Sequence, residues 1–199
     1  MPFKKKFCSY IGNKGYQGVI SYVQSIRQDI ADDEHDHQGI KEKCSKDCAI
    51  CKDAKTIVET GDEKGYLMAK ALKGKFTVIT GACNKVASRF TPQGLAPGAH
   101  LGDGLVDLIV VNKTSRLNYF RYLYRSAYLN SSPYELPFVE HVKVREFRFI
   151  PDTKENSTTG SRNKKTSVWN CDGEVLSTPE IHVKVHCQTL PVFARGPDH

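Results

Sequence analysis

The stretch Glu180-Ile181-His182-Val183-Lys184-Val185-His186-Cys187 alternates polar and apolar residues without a break. Successive side chains of an extended chain point to opposite faces, so this octet reads as a strand with Ile181, Val183, Val185 and Cys187 facing a core. Other segments extend the pattern. Leu105 to Val111 is almost wholly apolar, as expected of a strand buried on both faces. Tyr16 to Val23 and Lys75 to Thr80 read as further strands. Val142 and Val144 fall on one parity, whereas Phe147 and Phe149 fall on the other. One extra residue near Arg145-Glu146 would restore a common face, which predicts a β-bulge there. Pro92, Gly94, Pro97 and Gly98 mark a loop over 91–98. A single helix is expected after Ser115, a suitable N-cap, with Leu117, Phe120, Tyr124 and Ala127 recurring at helical spacing and Pro133 and Pro137 beyond its end. The sum is a mainly β (α+β) fold, an antiparallel β-sandwich with one inserted amphipathic helix.

Composition agrees with a folded core. Of 199 residues, 39% are hydrophobic and 26% charged, and 29 Lys and Arg against 22 Asp and Glu leave a net charge of +7. That balance favours an anionic partner: nucleotide, nucleic acid or membrane surface. Nucleic acid ranks lowest, because no stacking-aromatic motif accompanies the basic residues. No apolar run approaches a transmembrane helix, and Met1-Pro2-Phe3-Lys4-Lys5-Lys6 does not lead into the apolar segment of a secretory signal, so a cytoplasmic location is expected. Residues 25–55 break the pattern with Asp32-Asp33-Glu34-His35-Asp36-His37 and read as a charged, solvated insertion bearing cysteines. Order is expected to resume near Thr56 to Val58.

Three elements carry candidate chemistry. Cys44-x3-Cys48-x2-Cys51 brings three thiols close enough in sequence to converge on Zn2+, with Cys83, His35 or His37 as a fourth ligand; the alternative is a surface loop with unpaired thiols. Gly102-Asp103-Gly104 precedes a strand rather than a helix, so a turn explains it better than a phosphate loop, and no GxxxxGK[ST] loop occurs. Asp172-Gly173 is a strong hairpin signal, yet Asp172 and Glu174 flanking a glycine would also suit a bound cation or an attacking hydroxyl. His182 and His186 lie about 13 Å apart on a strand and cannot share an ion. The basic helix over 115–129, with Arg116, Arg121 and Arg125, is expected to pack on the domain with its arginines in water; a second reading sets it on anionic lipid or in a calmodulin-like groove.

Several segments in order carry a resemblance: Gly94-Leu95-Ala96-Pro97, His100-Leu101-Gly102-Asp103-Gly104, Ser115-Arg116-Leu117-Asn118, Phe138-Val139-Glu140, Trp169-Asn170-Cys171-Asp172-Gly173-Glu174, Val185-His186-Cys187-Gln188 and Phe193-Ala194-Arg195-Gly196. Together they resemble the C-terminal half of ceramide kinases, over about Tyr10 to Gly196, and the cysteine cluster also recurs in that family. The resemblance implies a β-sandwich lobe over 10–199 of an ATP-dependent lipid kinase related to diacylglycerol and sphingosine kinases, without the nucleotide lobe and its Gly-Gly-Asp-Gly loop. It implies phosphoryl transfer from ATP to the primary hydroxyl of ceramide. Glu174 would serve as general base, Asp172 and Gly173 would lie near ATP and Mg2+, and Asp103 would bind a structural Mg2+ with the main chain near Leu105. Further expectations are peripheral association with anionic membranes, calmodulin at helix 115–129, and no kinase activity for this lobe alone. The rival class is a non-catalytic basic β-sandwich that binds anionic membrane lipid or a protein partner. A third is a zinc-dependent interaction module.

Overall fold

The computed structural model describes residues 15–25, 48–60, 67–88, 91–128, 132–152 and 168–191. Four long or apolar strands build the core: β1 (Tyr16–Ser25), β2 (Leu67–Ala82), β3 (Val106–Asn112) and β4 (Val139–Pro151). Every pairing is antiparallel. β1 pairs with β2 and also with β4, so β1 to β4 close around one interior. The faces of the expected sandwich are thus joined by strands long enough to serve both. β2 pairs with β1 through Phe76 and with β3 from Phe76 onward; β4 pairs with β3 through Val144 and with β1 from Val144 onward.

Each handover carries a bulge. Phe76 opposes Asn112 and Val78 opposes Val111, leaving Thr77 as an extra residue of β2. Val23 opposes Glu146 and Gln24 opposes Val144, leaving Arg145 as an extra residue of β4. An extra residue bends a strand and increases its twist, which is what closure of a short sheet demands. The Arg145 bulge is the one anticipated from the parity break. It brings Val144, Phe147 and Phe149 into one core with Ile20, Tyr22, Phe76, Val106, Leu108 and Val110. Full burial of side chains of this size stabilises the fold by about 1.5–3 kcal/mol each.

β3 is buried on both faces, as its composition implies. Val106, Leu108 and Val110 enter the closed interior, while Ile109 and Val111 pack outward with Tyr122, Leu136 and Val139. The strand read at 180–187 is β7 (Ile181–Lys184), paired with β4 from Glu146 to Phe149; Ile181 and Val183 pack against the core and His182 and Lys184 are exposed. β5 (Trp169–Cys171) and β6 (Glu174–Leu176) form a separate hairpin. Trp169 anchors it, meeting Phe149 edge-on at 5.7 Å between ring centres while its indole N–H donates to the Pro179 carbonyl at 3.1 Å.

Among the described residues, two α-helices accompany the strands where one was expected. α1 (Ala49–Thr60) takes up the end of the charged insertion together with Thr56 to Val58. Its sequence shows no clear N-cap side chain or acidic first turn, which hides it from local reading. α2 (Arg116–Ala127) begins as expected, with Ser115 Oγ accepting from the Asn118 N–H at 3.3 Å. Its buried stripe differs from the expected one. Tyr122 is buried and Tyr119 packs beside it, whereas Leu117 is 81% exposed and Phe120 and Tyr124 are exposed as well. Two stripes of the helix are apolar, and the outer face of β3 selects the tyrosine stripe. Among the described residues, no helix is long and apolar enough to cross a membrane.

Candidate functional site

Polar groups gather where the 91–105 loop enters β3. Asp103 and Asp107 are both buried. Asp103 Oδ1 accepts from the Leu105 N–H at 2.9 Å, the side-chain bond of an Asx-turn. Gly104 follows at φ +70°, and a β-carbon there would stand 2.8 Å from Cys187 Cβ, so only glycine fits. Lys143 lies directly across the ladder from Asp107. Its ammonium donates to the Gly98 carbonyl at 2.7 Å and lies 3.4 Å from Asp103 Oδ2 and 3.7 Å from Asp107 Oδ2. His141, two residues earlier on β4, places Nε2 2.7 Å from Asp107 Oδ1 and stacks on Tyr134. The Tyr134 hydroxyl donates to the Leu95 carbonyl. Burial, then the charges of Tyr122 and Asp107, raises the Tyr134 pKa well above its ordinary value.

Burial also raises the pKa of Asp103, and the Lys143 ammonium, the Leu105 N–H and His100 offset only part of that cost. Mg2+ takes near-octahedral oxygen donors at about 2.0–2.1 Å. Gly98 O, Asp103 Oδ2 and Asp107 Oδ2 are oxygens of that kind, but they surround the Lys143 ammonium. As arranged, these residues hold an organic cation and do not fit Mg2+ while Lys143 is in place.

The Asp172-Gly173 hairpin forms the second part. Asp172 at φ +49° and Gly173 at φ +99° are the two central residues of the β5–β6 turn, and Asn170 Oδ1 accepts from the Gly173 N–H at 2.8 Å. Two positive-φ residues make the tight primed turn that an Asp-Gly pair favours. Asp172 and Glu174 both stand exposed at its tip. Cys83, just past β2, links the two parts electrostatically. Desolvation raises its thiol pKa, and the charges of Asp103, Asp172 and Asp107 push it further in the same direction. Three carboxylates from two separate segments, 103–107 and the hairpin turn, therefore act on one region.

The third part is sulfur-rich. Cys48 precedes α1 and Cys51 lies in its first turn, with the Lys52 N–H donating to the Cys48 carbonyl at 3.1 Å. Residues three apart on a helix share a face. Both thiols meet His100 of the 91–105 loop: Cys48 Sγ is 3.2 Å from His100 Nδ1, and the three ligand atoms lie within 4.8 Å of one another. Cys44, His35 and His37 lie outside the described residues, and Cys83 is exposed and outside this group.

The sequence reading missed His100, Asp107, His141 and Lys143 as polar site residues. Asp107 carried a signal, since an acid within an otherwise apolar strand needs a buried partner. Its partners on β4 share the parity opposite to Val142 and Val144, and only the β3–β4 register identifies them. His182 stands exposed, 3.7 Å from Glu146 Oε2, in keeping with the solvent face read for it.

The described geometry belongs to a chain with recognisable relatives. Residues 40–198 match the family model described as "Ceramide kinase C-terminal domain". The chain is 31% identical to the Homo sapiens protein named "Ceramide kinase" over 94% of its own length and 39% of that protein's. It is 31% identical to "Ceramide kinase" of Arabidopsis thaliana over 78% of its length and 24% of the relative's, and 27% identical to the human "Ceramide kinase-like protein" over 61% and 23%. It thus spans about two fifths of the human ceramide kinase it matches. With the matched region covering most of its length, this chain belongs to the ceramide kinase C-terminal domain family.

Proposed function

We propose that this chain is the C-terminal lobe of a ceramide kinase-like lipid kinase that transfers the ATP γ-phosphate to the primary hydroxyl of ceramide, giving ceramide 1-phosphate. The observation that carries the reading is the Asp172-Gly173-Glu174 hairpin tip, exposed and held by Trp169 within a membership that covers residues 40–198. Phosphoryl transfer needs positioning and charge neutralisation rather than a covalent nucleophile. In this reading Glu174 takes the hydroxyl proton, and Asp172 with Gly173 lies toward MgATP, which a nucleotide lobe presents. The buried Asp103–Lys143–Asp107 group holds the scaffold beneath and touches no substrate.

The test needs the nucleotide lobe. In the full-length kinase that carries this lobe, Glu174→Gln is expected to lower turnover by about 10²-fold or more, with an unchanged thermal midpoint; wild-type turnover would remove Glu174 from the reaction. The 199-residue chain alone is expected to phosphorylate no ceramide, and ATP-dependent product from it would refute the two-lobe reading.

The exposed stripe of α2 favours membrane contact as part of the same function. Leu117, Phe120, Tyr124 and Tyr128 lie exposed beside Arg116 and Arg121. An apolar face edged by arginine suits the surface of an anionic bilayer. Co-sedimentation with phosphatidylserine vesicles is expected, with loss on Leu117→Asp/Phe120→Asp and weak binding to phosphatidylcholine. Calmodulin would take the same stripe, so calcium-loaded calmodulin is expected to displace the chain from vesicles.

A further inference from the structure

We propose that Cys48, Cys51 and His100 form a structural zinc site that fastens α1 to the loop leading into β3. The site goes beyond the kinase reading and does not depend on it. Two sulfurs and an imidazole nitrogen are the donors a borderline-soft divalent cation selects. Zn–S bonds of about 2.3 Å and Zn–N bonds of about 2.0–2.1 Å place tetrahedral ligand atoms about 3.5–3.8 Å apart. The observed set lies close to that: 3.2 Å from Cys48 Sγ to His100 Nδ1, and all three atoms within 4.8 Å.

The local structure prepares these donors. Cys48 and His100 are buried, which keeps competing water away from two of the three. The thiols stand at the start of a helix, where the macrodipole favours thiolate over thiol. Zn2+ would displace two thiol protons; two thiolates, a neutral imidazole and the dication then sum to zero charge, a state that burial tolerates.

The surroundings already tie the same segments together. Gln188 Nε2 donates to the Cys51 carbonyl at 2.8 Å and to the Gly102 carbonyl at 2.9 Å, and Cys187 Sγ donates to Gly102 O at 3.2 Å. A β-carbon on Gly102 would come within 3.3 Å of Cys51 Sγ, so the loop approaches the thiol as closely as glycine permits. His100 is also three residues from Asp103. A metal here would join the cysteine segment, the loop and the scaffold beneath the hairpin, and one tetrahedral position would remain for a fourth donor.

The 199-residue chain, purified under reducing conditions and analysed by mass spectrometry for bound metal, is expected to carry about one zinc per chain. Cys48→Ser, Cys51→Ser and His100→Ala should each lower this to about one tenth or less, while Cys83→Ser and Cys171→Ser should leave it unchanged. His100→Cys guards against variants that fail to fold. It should retain metal, and its cobalt-loaded form should show a stronger thiolate charge-transfer band than the cobalt-loaded wild type. Wild-type chain with less than about one tenth of an equivalent would overturn the proposal. So would metal that persists in all three ligand variants, or a metal-free chain with a Cys48–Cys51 disulfide, which would make the pair a redox dithiol.

Discussion

The chain contains two Asp-Gly elements, Asp103-Gly104 and Asp172-Gly173, that look alike in sequence and share positive-φ glycines at +70° and +99°. Their environments are opposite. Asp103 is buried, shares Lys143 with Asp107, and precedes a glycine pressed against Cys187. Asp172 is exposed, and a β-carbon on Gly173 would meet nothing within 4 Å. One element is framework, and the other is a projecting tip whose carboxylates can meet other molecules. Burial separates them, since a carboxylate without access to water must be answered by fixed partners, whereas an exposed one is answered by solvent.

Breaking the buried element should cost most. Lys143→Met leaves Asp103 and Asp107 without their shared cation and should destabilise the chain by about 3–5 kcal/mol in urea unfolding. Millimolar Mg2+ sharpens the point: if the ammonium fills the cation position, Mg2+ should stabilise this variant and leave the wild type unchanged. Wild-type stabilisation by several degrees would mean that Lys143 yields its place. Gly104→Ala adds a disfavoured backbone to a clash with Cys187 and should cost about 2–4 kcal/mol. Gly173→Ala has the same backbone penalty in open space and should cost about 1 kcal/mol; equal losses at the two glycines would erase the distinction.

Smaller effects test the electrostatics. Because burial raises the native pKa of Asp103 above 3.8, its contribution to stability is present below its unfolded value and is lost as pH rises through the native one. Asp103→Asn keeps the acceptor for Leu105 and should flatten the stability profile above about pH 4, measured as the urea midpoint against pH. An unchanged slope would mean that Asp103 does not titrate differently on folding. Asp172→Asn should change stability by less than about 0.5 kcal/mol; a larger loss would make the tip part of the framework.

Much of the strand scaffold could be read locally because its signals are local. Side-chain parity marks β7, the almost wholly apolar run marks β3, and the parity break at Val144/Phe147 locates the Arg145 bulge. Asp-Gly chemistry marks the hairpin turn, and Ser115 marks the start of α2. The same periodicity misdirects the reading of α2, because it finds apolar stripes without saying which one meets the sheet. α1 escapes for a related reason: it is joined to the fold through Cys48, Cys51, His100 and Gln188, contacts that span 52 to 137 residues of sequence.

The sequence by itself determined the antiparallel strands, the loop between them, the hairpin turn and the resemblance to ceramide kinases, because each rests on residues within a few positions of one another or on short strings of fixed order. Only the tertiary structure decided that the strands close on themselves, that Lys143 and His141 answer Asp107, that His100 joins the cysteines, and that Leu117 and Phe120 face outward. Those outcomes depend on register and burial, and an aspartate beside a glycine is framework or reagent according to what the rest of the chain packs around it.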